Sequence, residues 1–350
     1  MAEVAEAKRH TKEIKISELN ILEKLGNGAF GEVSRAIYRG TEVAVKFLRD
    51  VTPESMKDFE GEIAINELLP NHARTVQMVA VARDEPQAIV MDLYPHRSVE
   101  DYLELHPLSN LGFQQAVQLL VDVSAGLVNM HSENVIHRDI ALRNALLKLD
   151  MSASIADFGL SLLLPEGQSV GRRTPEERKV EKIPITTSAP ETLASGEYSA
   201  KSDVYMFALL IWELFSGKAP FKDDELFLSC VHSSVANLDI EVTYESYGSA
   251  YGATEEPSEY AYDVCYQEIA DDDIERKPKN RFQPFFEAVA HNDHRPPIPA
   301  SWPLELVEII RRCWHPSPSE RPTMSAVNDM LRHFQDVSML FACFSTVEGG

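Results

Sequence analysis

Leu25-Gly26-Asn27-Gly28-Ala29-Phe30-Gly31-Glu32-Val33, and the run Ala36-Ile37-Tyr38-Arg39-Gly40-Thr41-Glu42-Val43-Ala44-Val45-Lys46 that follows it, form the stretch on which the fold turns. Glycines at this spacing let backbone N–H groups approach phosphate oxygens with no side chain in the way. By itself the spacing also fits a dinucleotide-binding turn or an ordinary hairpin. In a dinucleotide fold, however, the third glycine opens a helix. Here Gly31 leads into an alternating run that turns back at Arg39-Gly40, so the glycine loop joins two strands. The second strand ends on Lys46, which is costly to bury unless it meets a carboxylate or a phosphate, although a strand-end lysine is commonly just solvated. Glu62, in the helical stretch Asp58-Phe59-Glu60-Gly61-Glu62-Ile63-Ala64-Ile65, is the candidate partner, with Glu60 and Glu67 as rivals.

Outward from this point, residues 19–93 read as short alternating strands around one helical stretch, whereas 110–136 and 200–216 carry the longer apolar period of helices. The pattern predicts an α+β chain with a strand-rich first lobe and a helix-rich second one. Between Lys222 and Lys279 there are fifteen acidic and four basic residues, a local charge of −11 that marks an insertion within the second lobe. The whole chain of 350 residues has 33 basic and 55 acidic side chains, hence a net charge of −22, which opposes general binding to nucleic acid or anionic membrane. The apolar run Val204 to Phe215 is too short for a membrane span and is interrupted by Glu213, so a buried helix is expected. Four scattered cysteines without a C-x-x-C pair read as reduced thiols, and nothing resembles a signal peptide, so a cytoplasmic location is expected.

The second lobe contains His137-Arg138-Asp139-Ile140-Ala141-Leu142-Arg143-Asn144, then Asp157-Phe158-Gly159, then Ala189-Pro190-Glu191. With the glycine loop and Lys46, these motifs stand in the order of the protein kinase family, and the chain resembles that family over residues 19–336, in particular its tyrosine kinase and tyrosine-kinase-like groups. The resemblance implies a bilobal kinase fold: an N-terminal extension (1–18), a strand-rich N-lobe with one main helix (19–93), a helical C-lobe (94–336) interrupted by the acidic insertion (222–279), and a C-terminal tail (337–350). It also implies transfer of the γ-phosphoryl of ATP to protein hydroxyl groups. Leu25, Gly26, Gly28 and Gly31 would cover the nucleotide, Lys46 would contact its α- and β-phosphates, and Glu62 would orient Lys46. Met91 would be the gatekeeper, the Asp92 carbonyl and Tyr94 amide would meet the adenine edge, and Val33, Ala44 and Leu146 would sandwich the ring. Asp139 would accept the substrate proton, with Arg143 beside it, and Asn144 and Asp157 offer hard oxygen donors suited to Mg²⁺. His137 is expected to be structural, Asp203 to anchor the catalytic loop, and Glu191 with Arg321 to form a buried ion pair.

The acceptor is read from three positions. Serine/threonine kinases usually carry a lysine two residues after the catalytic aspartate; Ala141 stands there, and Arg143 completes the HRDxAxRN pattern of tyrosine kinases. Pro184 occupies the place where serine/threonine kinases have a threonine, similar to a tyrosine-kinase loop. Against this, Thr186 and Thr187 replace the usual basic residue and tryptophan, and the run from Tyr38 to Lys46 is similar to tyrosine-kinase-like enzymes, whose members often phosphorylate serine and threonine. The resemblance therefore implies tyrosine or dual specificity, with a serine/threonine enzyme as the alternative.

Three departures from the family stand out. Asn66 occupies a position where an apolar residue is expected, which predicts a less firmly held active state or a shifted helix register. No tyrosine lies between Asp157 and Glu191, so the usual phosphotyrosine switch is absent from that segment; Ser169 and Thr174, with Arg138 as counter-charge, are the alternative sites, against the simpler reading of a solvated mixed-charge loop. The insertion holds Tyr244, Tyr247, Tyr251, Tyr260, Tyr262 and Tyr266, six of the eleven tyrosines, and reads either as a spacer or as a phosphorylated docking segment for phosphotyrosine-binding partners, attracted to Arg172, Arg173 and Lys182. A separate alternative for the whole chain is a catalytically silent kinase fold that serves as a phosphotyrosine scaffold through this insertion, but a scaffold needs none of Lys46, Asp139, Asn144 and Asp157.

Overall fold

The computed structural model describes residues 11–28, 31–48, 51–106, 108–172, 184–232 and 282–347. Its first lobe is a six-stranded sheet of β1 (Glu13–Ile14), β2 (Leu19–Gly28), β3 (Gly31–Tyr38), β4 (Thr41–Phe47), β5 (Met78–Ala82) and β6 (Ala88–Asp92), in the order β1-β5-β6-β4-β3-β2. The β3–β4 hairpin turns through Arg39 and Gly40 with φ of 51° and 83°, the left-handed pair that a two-residue turn demands. β2 and β3 stay paired to their tip, where Gly28 faces Gly31. β1 lies in the stretch expected as an extension; it runs parallel to β5 and buries Ile14 in the sheet core with Leu19, Tyr38 and Val43.

Helix α1 (Pro53–Leu68) starts where Thr52 accepts from the Ser55 N–H and Pro53 fills the first helical position. It packs Phe59 and Ile63 against Val81 and Ile89 of the sheet. Its partner across the cleft is a helical lobe with one continuous core. That lobe comprises α2 (Val99–Leu105), α3 (Leu108–Leu111), α4 (Phe113–Ser132), α5 (Pro190–Ser195), α6 (Ala200–Ser216), α7 (Glu225–His232), α8 (Gln283–His291), α9 (Leu304–Cys313) and α10 (Met324–Val347). Short strand pairs β7 (Val135–Ile136), β8 (Ala145–Leu147), β9 (Ala153–Ile155), β10 (Leu162–Leu163), β11 (Gly171–Arg172) and β12 (Glu197–Tyr198) line its upper side. Ser199 caps α6, and Gly217 at φ 65° ends it; every residue from Ser202 to Leu214 is buried. The apolar run from Val204 is therefore the central helix of the lobe, enclosed all round by protein. No described helix is long and apolar enough to cross a membrane.

The described residues on either side of 233–281 pack together. Phe227 of α7 lies 5.8 Å from Phe282 and 5.2 Å from Phe285 of α8, and His294 is 2.8 Å from Asp224. The six tyrosines of the insertion lie outside the described residues. The stretch expected as a tail is instead helical as far as Val347, because nothing breaks α10 and it lies along α4: Asn328 donates to the Val121 carbonyl at 2.9 Å, Gln335 to Gln118 at 2.8 Å and Gln114 to Ser338 at 3.0 Å.

Candidate active site

Three elements bring their charges to one point between the lobes. Lys46, on β4 and 7% exposed, donates from Nζ to both Glu62 carboxylate oxygens at 2.9 Å and to Asp157 Oδ1 at 2.8 Å. Glu62 reaches it from α1, so the choice among the three glutamates is settled by geometry. Glu60 instead pairs with Arg83, and Glu67 accepts from the Thr11 N–H. Burial alone would push the Lys46 ammonium down, but the Asp157 and Glu62 carboxylates outweigh it and hold it above the ordinary lysine range. Burial likewise opposes the charge on Asp157, and Lys46 overcomes it, holding that carboxyl below its ordinary value. Asp157 stands at φ 63°, and its Oδ1 also accepts from the Gly159 N–H at 3.4 Å. Phe158 is buried beside His137, with the two rings edge to face at 6.0 Å.

Asn66 sits one turn after Glu62 and donates from Nδ2 to the Glu62 carbonyl at 2.9 Å. Its amide is thus partly satisfied within the helix, and the helix register is the one that presents Glu62 to Lys46. Of the two consequences expected of Asn66, the shifted register does not occur.

The loop from His137 to Asn144 is pinned from below. Asp203, fully buried in the first turn of α6, accepts from the His137 N–H at 2.8 Å and the Arg138 N–H at 2.9 Å, and meets His131 Nε2 at 2.8 Å. The His137 ring spans the Ala156 carbonyl (3.0 Å from Nε2) and the Asp139 N–H (3.2 Å from Nδ1), so it braces two segments. Above this base the Asp139 carboxylate is held at both oxygens, Oδ1 by Arg143 Nη2 at 2.5 Å and Oδ2 by Asn144 Nδ2 at 2.7 Å. Asn144 Nδ2 also donates to the Asp139 carbonyl at 2.8 Å. Five of the expected site residues are therefore two linked groups: Lys46 with Asp157, and Asp139 with Arg143 and Asn144.

The model of the family described as protein tyrosine and serine/threonine kinase matches residues 19–235 and 244–331. The chain belongs to the protein tyrosine and serine/threonine kinase family. A Dictyostelium discoideum protein named "Probable serine/threonine-protein kinase" is 29% identical over 91% of this kinase chain and 28% of its own length. The serine/threonine/tyrosine-protein kinase HT1 of Arabidopsis thaliana is 27% identical over 95% of this chain and 71% of its own. The tyrosine-protein kinase FRK of Homo sapiens is 28% identical over 92% of this chain and 52% of its own. The chain thus spans only part of each of these relatives.

The remaining expected contacts of the kinase surround the same cleft. Ala44 pairs with Met91 and Val43 with Asp92 across β4 and β6, and Val33 pairs with Lys46. Met91 from the sheet and Leu146 from the helical lobe pack on one cluster of Val76, Tyr94 and Ala156. Leu25 and Gly26 are half-buried on β2, and a Cβ added at Gly26 would meet no other atom of the chain, so its backbone faces open space. The Tyr94 N–H makes no hydrogen bond among the described residues, which leaves a donor at the segment joining the lobes.

ATP use follows from membership of the family, and Mg²⁺ is its usual companion. The chain offers a matching donor set: Asn144 Oδ1 and Asp157 Oδ2 accept no hydrogen bond among the described residues, while the other polar atoms of both side chains are engaged. No group of three or more His, Cys, Asp or Glu side chains able to hold a metal is found among the described residues. A two-donor set fits Mg²⁺, which keeps most of its coordination for water and substrate phosphates.

Three features of the site had no sequence signal. Arg74 meets Asp122 at 3.1 Å, and Lys148 and Ser154 both donate to the Ala73 carbonyl, at 2.9 and 3.1 Å, so the loop after α1 is tied to the helical lobe. Tyr198 lies under the Arg138 guanidinium at 4.0 Å, and His131 joins Asp203. None of these pairs has a characteristic sequence spacing. Arg138, expected as a counter-charge for a phosphorylated Thr174, is buried at 2% exposure and donates to the Leu160 carbonyl at 3.0 Å; Thr174 lies outside the described residues.

Proposed function

We propose that this kinase transfers the γ-phosphoryl group of Mg-ATP to protein hydroxyl groups, with tyrosine, or tyrosine together with serine and threonine, as acceptor. The observation that carries the reading is the completeness of the two charged groups: Lys46 held at 2.9 Å by Glu62 and at 2.8 Å by Asp157, and Asp139 clamped at both carboxylate oxygens. A silent scaffold has no use for either arrangement.

Lys46 would contact the α- and β-phosphates, oriented by Glu62, and the glycine hairpin would close over them. Asn144 and Asp157 would hold the Mg²⁺, which when bound neutralises charge developing on the phosphates. Asp139 orients the acceptor hydroxyl and receives its proton; because Arg143 and Asn144 fix both oxygens and share the charge, the carboxylate serves by position more than by strong basicity. Val33, Ala44, Met91 and Leu146 would enclose the adenine, with the Asp92 carbonyl and the Tyr94 N–H on its edge. Arg143 beside Asp139, where no lysine follows the aspartate, and Pro184 ahead of the APE motif favour tyrosine.

Radiolabelled ATP supplied with a mixed tyrosine and serine polymer tests the reading. Labelled phosphotyrosine is expected, and Asp139→Asn should reduce it by about 10²- to 10⁴-fold. Labelled serine alone would assign the chain to serine/threonine chemistry of the tyrosine-kinase-like group. Equal labelling by wild type and Asp139→Asn, or none by folded protein, would reject phosphoryl transfer by this site.

A further inference from the structure

Of the three glutamates on α1 that compete for Lys46, Glu62 meets it, and the other two face elsewhere. Glu60 and Glu67 stand seven positions apart, so they share one side of the helix, and Glu62 is turned from that side by about 200°. This outer side is engaged as well. Arg83, in the turn after β5, forms an ion pair with Glu60 and lies 3.9 Å from Glu13 of β1. Glu67 accepts from the Thr11 N–H at 3.3 Å, just ahead of β1. The hydrogen bond to Glu60, and the charges of Glu60, Glu13 and Glu67, hold the guanidinium above the ordinary arginine range against the opposing effect of burial. One cation therefore serves three carboxylates that would otherwise repel one another between β1 and α1.

The strand that carries Glu13 is itself fixed to the sheet. Glu13 pairs with Val81 and Ile14 with Ala82, the Val81 N–H donates to the Lys12 carbonyl at 2.9 Å, and Ile14 is 5% exposed. Beyond it the Ile16 N–H donates to the Asp84 carboxylate oxygens at 3.0 and 3.2 Å. Arg83 and Asp84 are neighbours, so a single turn fastens the strand and the helix together. On its inner side α1 packs Phe59 and Ile63 against Val81 and Ile89, so the strand and the helix also share Val81 of β5.

We propose that Arg83 is a positioning residue: with β1 it forms a second, outer hold on α1, which keeps the helix at the depth where Glu62 meets Lys46. The inference rests on the reading of the chain as an active kinase. It supplies a hold on α1 in a chain that has Asn66 where an apolar residue is expected. The Arg83 side chain is 41% exposed, and exposed ion pairs are weak one by one and weaker in salt, so the effect is a graded one.

Hydrogen exchange and steady-state kinetics on the full chain test it, using wild type, Arg83→Lys, Arg83→Gln and Arg83→Glu as a series of falling charge. Arg83→Lys keeps the cation and should retain at least half of kcat. Arg83→Gln should lose about threefold in kcat, and Arg83→Glu more, with KM for Mg-ATP within about twofold of wild type. Amides of 53–68 should exchange faster in the same order, while those of 200–216 in the helical lobe keep the wild-type rate. In about 1 M salt the gap in α1 exchange between wild type and Arg83→Gln should close, which a purely steric role would not give. An Arg83→Lys as impaired as Arg83→Gln, faster exchange of 200–216 to the same degree, or a gap that salt leaves untouched overturns the proposal. Should Arg83→Glu fail to fold, Arg83→Lys and Arg83→Gln decide. Exchange needs no catalysis: if no variant phosphorylates anything yet α1 exchange follows the charge at position 83, the outer hold stands and the kinase reading fails. Unchanged α1 exchange across the series in an active enzyme sinks the hold alone.

Discussion

Two buried ion clusters in this molecule are built to opposite ends. Arg321 is 1% exposed and forks onto Glu191 with bonds of 2.7 and 2.8 Å, while its remaining donors go to the carbonyls of His315, Pro316 and Lys201, at 2.7, 3.2 and 2.9 Å. All its contacts lie within the helical lobe, and backbone saturates it. Lys46, by contrast, joins a strand, a helix and the opposite lobe through the carboxylates of Glu62 and Asp157. The first cluster is a rivet. The second joins three elements, and on the proposed function its members would meet a phosphate and a cation. Both cations are buried; the first meets one carboxylate and a set of backbone carbonyls, the second two carboxylates.

Substitutions that separate the two clusters sharpen this contrast. Arg321→Ala strands Glu191 in the core and should cost about 3–5 kcal/mol in urea unfolding. A loss no greater than that of an ordinary surface change would break the comparison. Lys46→Met should lower phosphoryl transfer by about 10²- to 10³-fold, the scale for removing one charge-stabilising donor. Its stability loss should be less than half that of Arg321→Ala, because Asp157 is partly open to water and can be solvated once Lys46 is gone; an equal loss would mean that the active cluster is also a rivet.

Asn66→Leu probes how firmly α1 holds Glu62. The Asn66 amide already bonds the Glu62 carbonyl at 2.9 Å, so replacing it by an apolar side chain should raise basal activity by no more than about fivefold, the worth of roughly 1 kcal/mol. Unchanged or lower activity would show that the polar side chain costs the active arrangement nothing. The smallest effect is one of pH. Asp157 is held below its ordinary value, so its contribution is present above the usual carboxylate pKa and lost as pH falls through the depressed one. Lys46 is held above its ordinary value, so its contribution is present below the usual lysine pKa and lost only as pH rises through the raised one. Glu62, unlike Asp157, is held above its ordinary value because burial outweighs the pull of Lys46. The stability difference between wild type and Lys46→Met should shrink as pH falls below about 4, where Asp157 takes up its proton; no shrinkage in acid would count against an ionised Lys46–Asp157 pair.

Much of the site was legible because phosphoryl-transfer chemistry leaves its residues in short local motifs. Gly26, Gly28 and Gly31, the run from His137 to Asn144, and Asp157 before Gly159 each declare themselves within a few positions. So did two long-range partners, Asp203 and Arg321, because the family resemblance gave them a role. Glu62 was less certain, since three glutamates of one stretch competed on composition. The edge strand Glu13–Ile14 and the helical course of 337–347 were not legible, because both depend on pairing with surfaces far along the chain.

The order of the motifs and the alternation around Lys46 were enough to establish the family, the two lobes and the residue types that the chemistry needs. Those properties are local: turn stereochemistry, strand and helix period, and the charge each side chain carries are set by neighbours in the chain. Tertiary structure alone decided which glutamate meets Lys46, that Asn66 closes its own bond instead of shifting the helix, and that Arg138 faces a tyrosine ring 60 positions away. Buried charges must be answered within a few ångströms in a medium that screens them poorly, and only packing determines what lies within that distance.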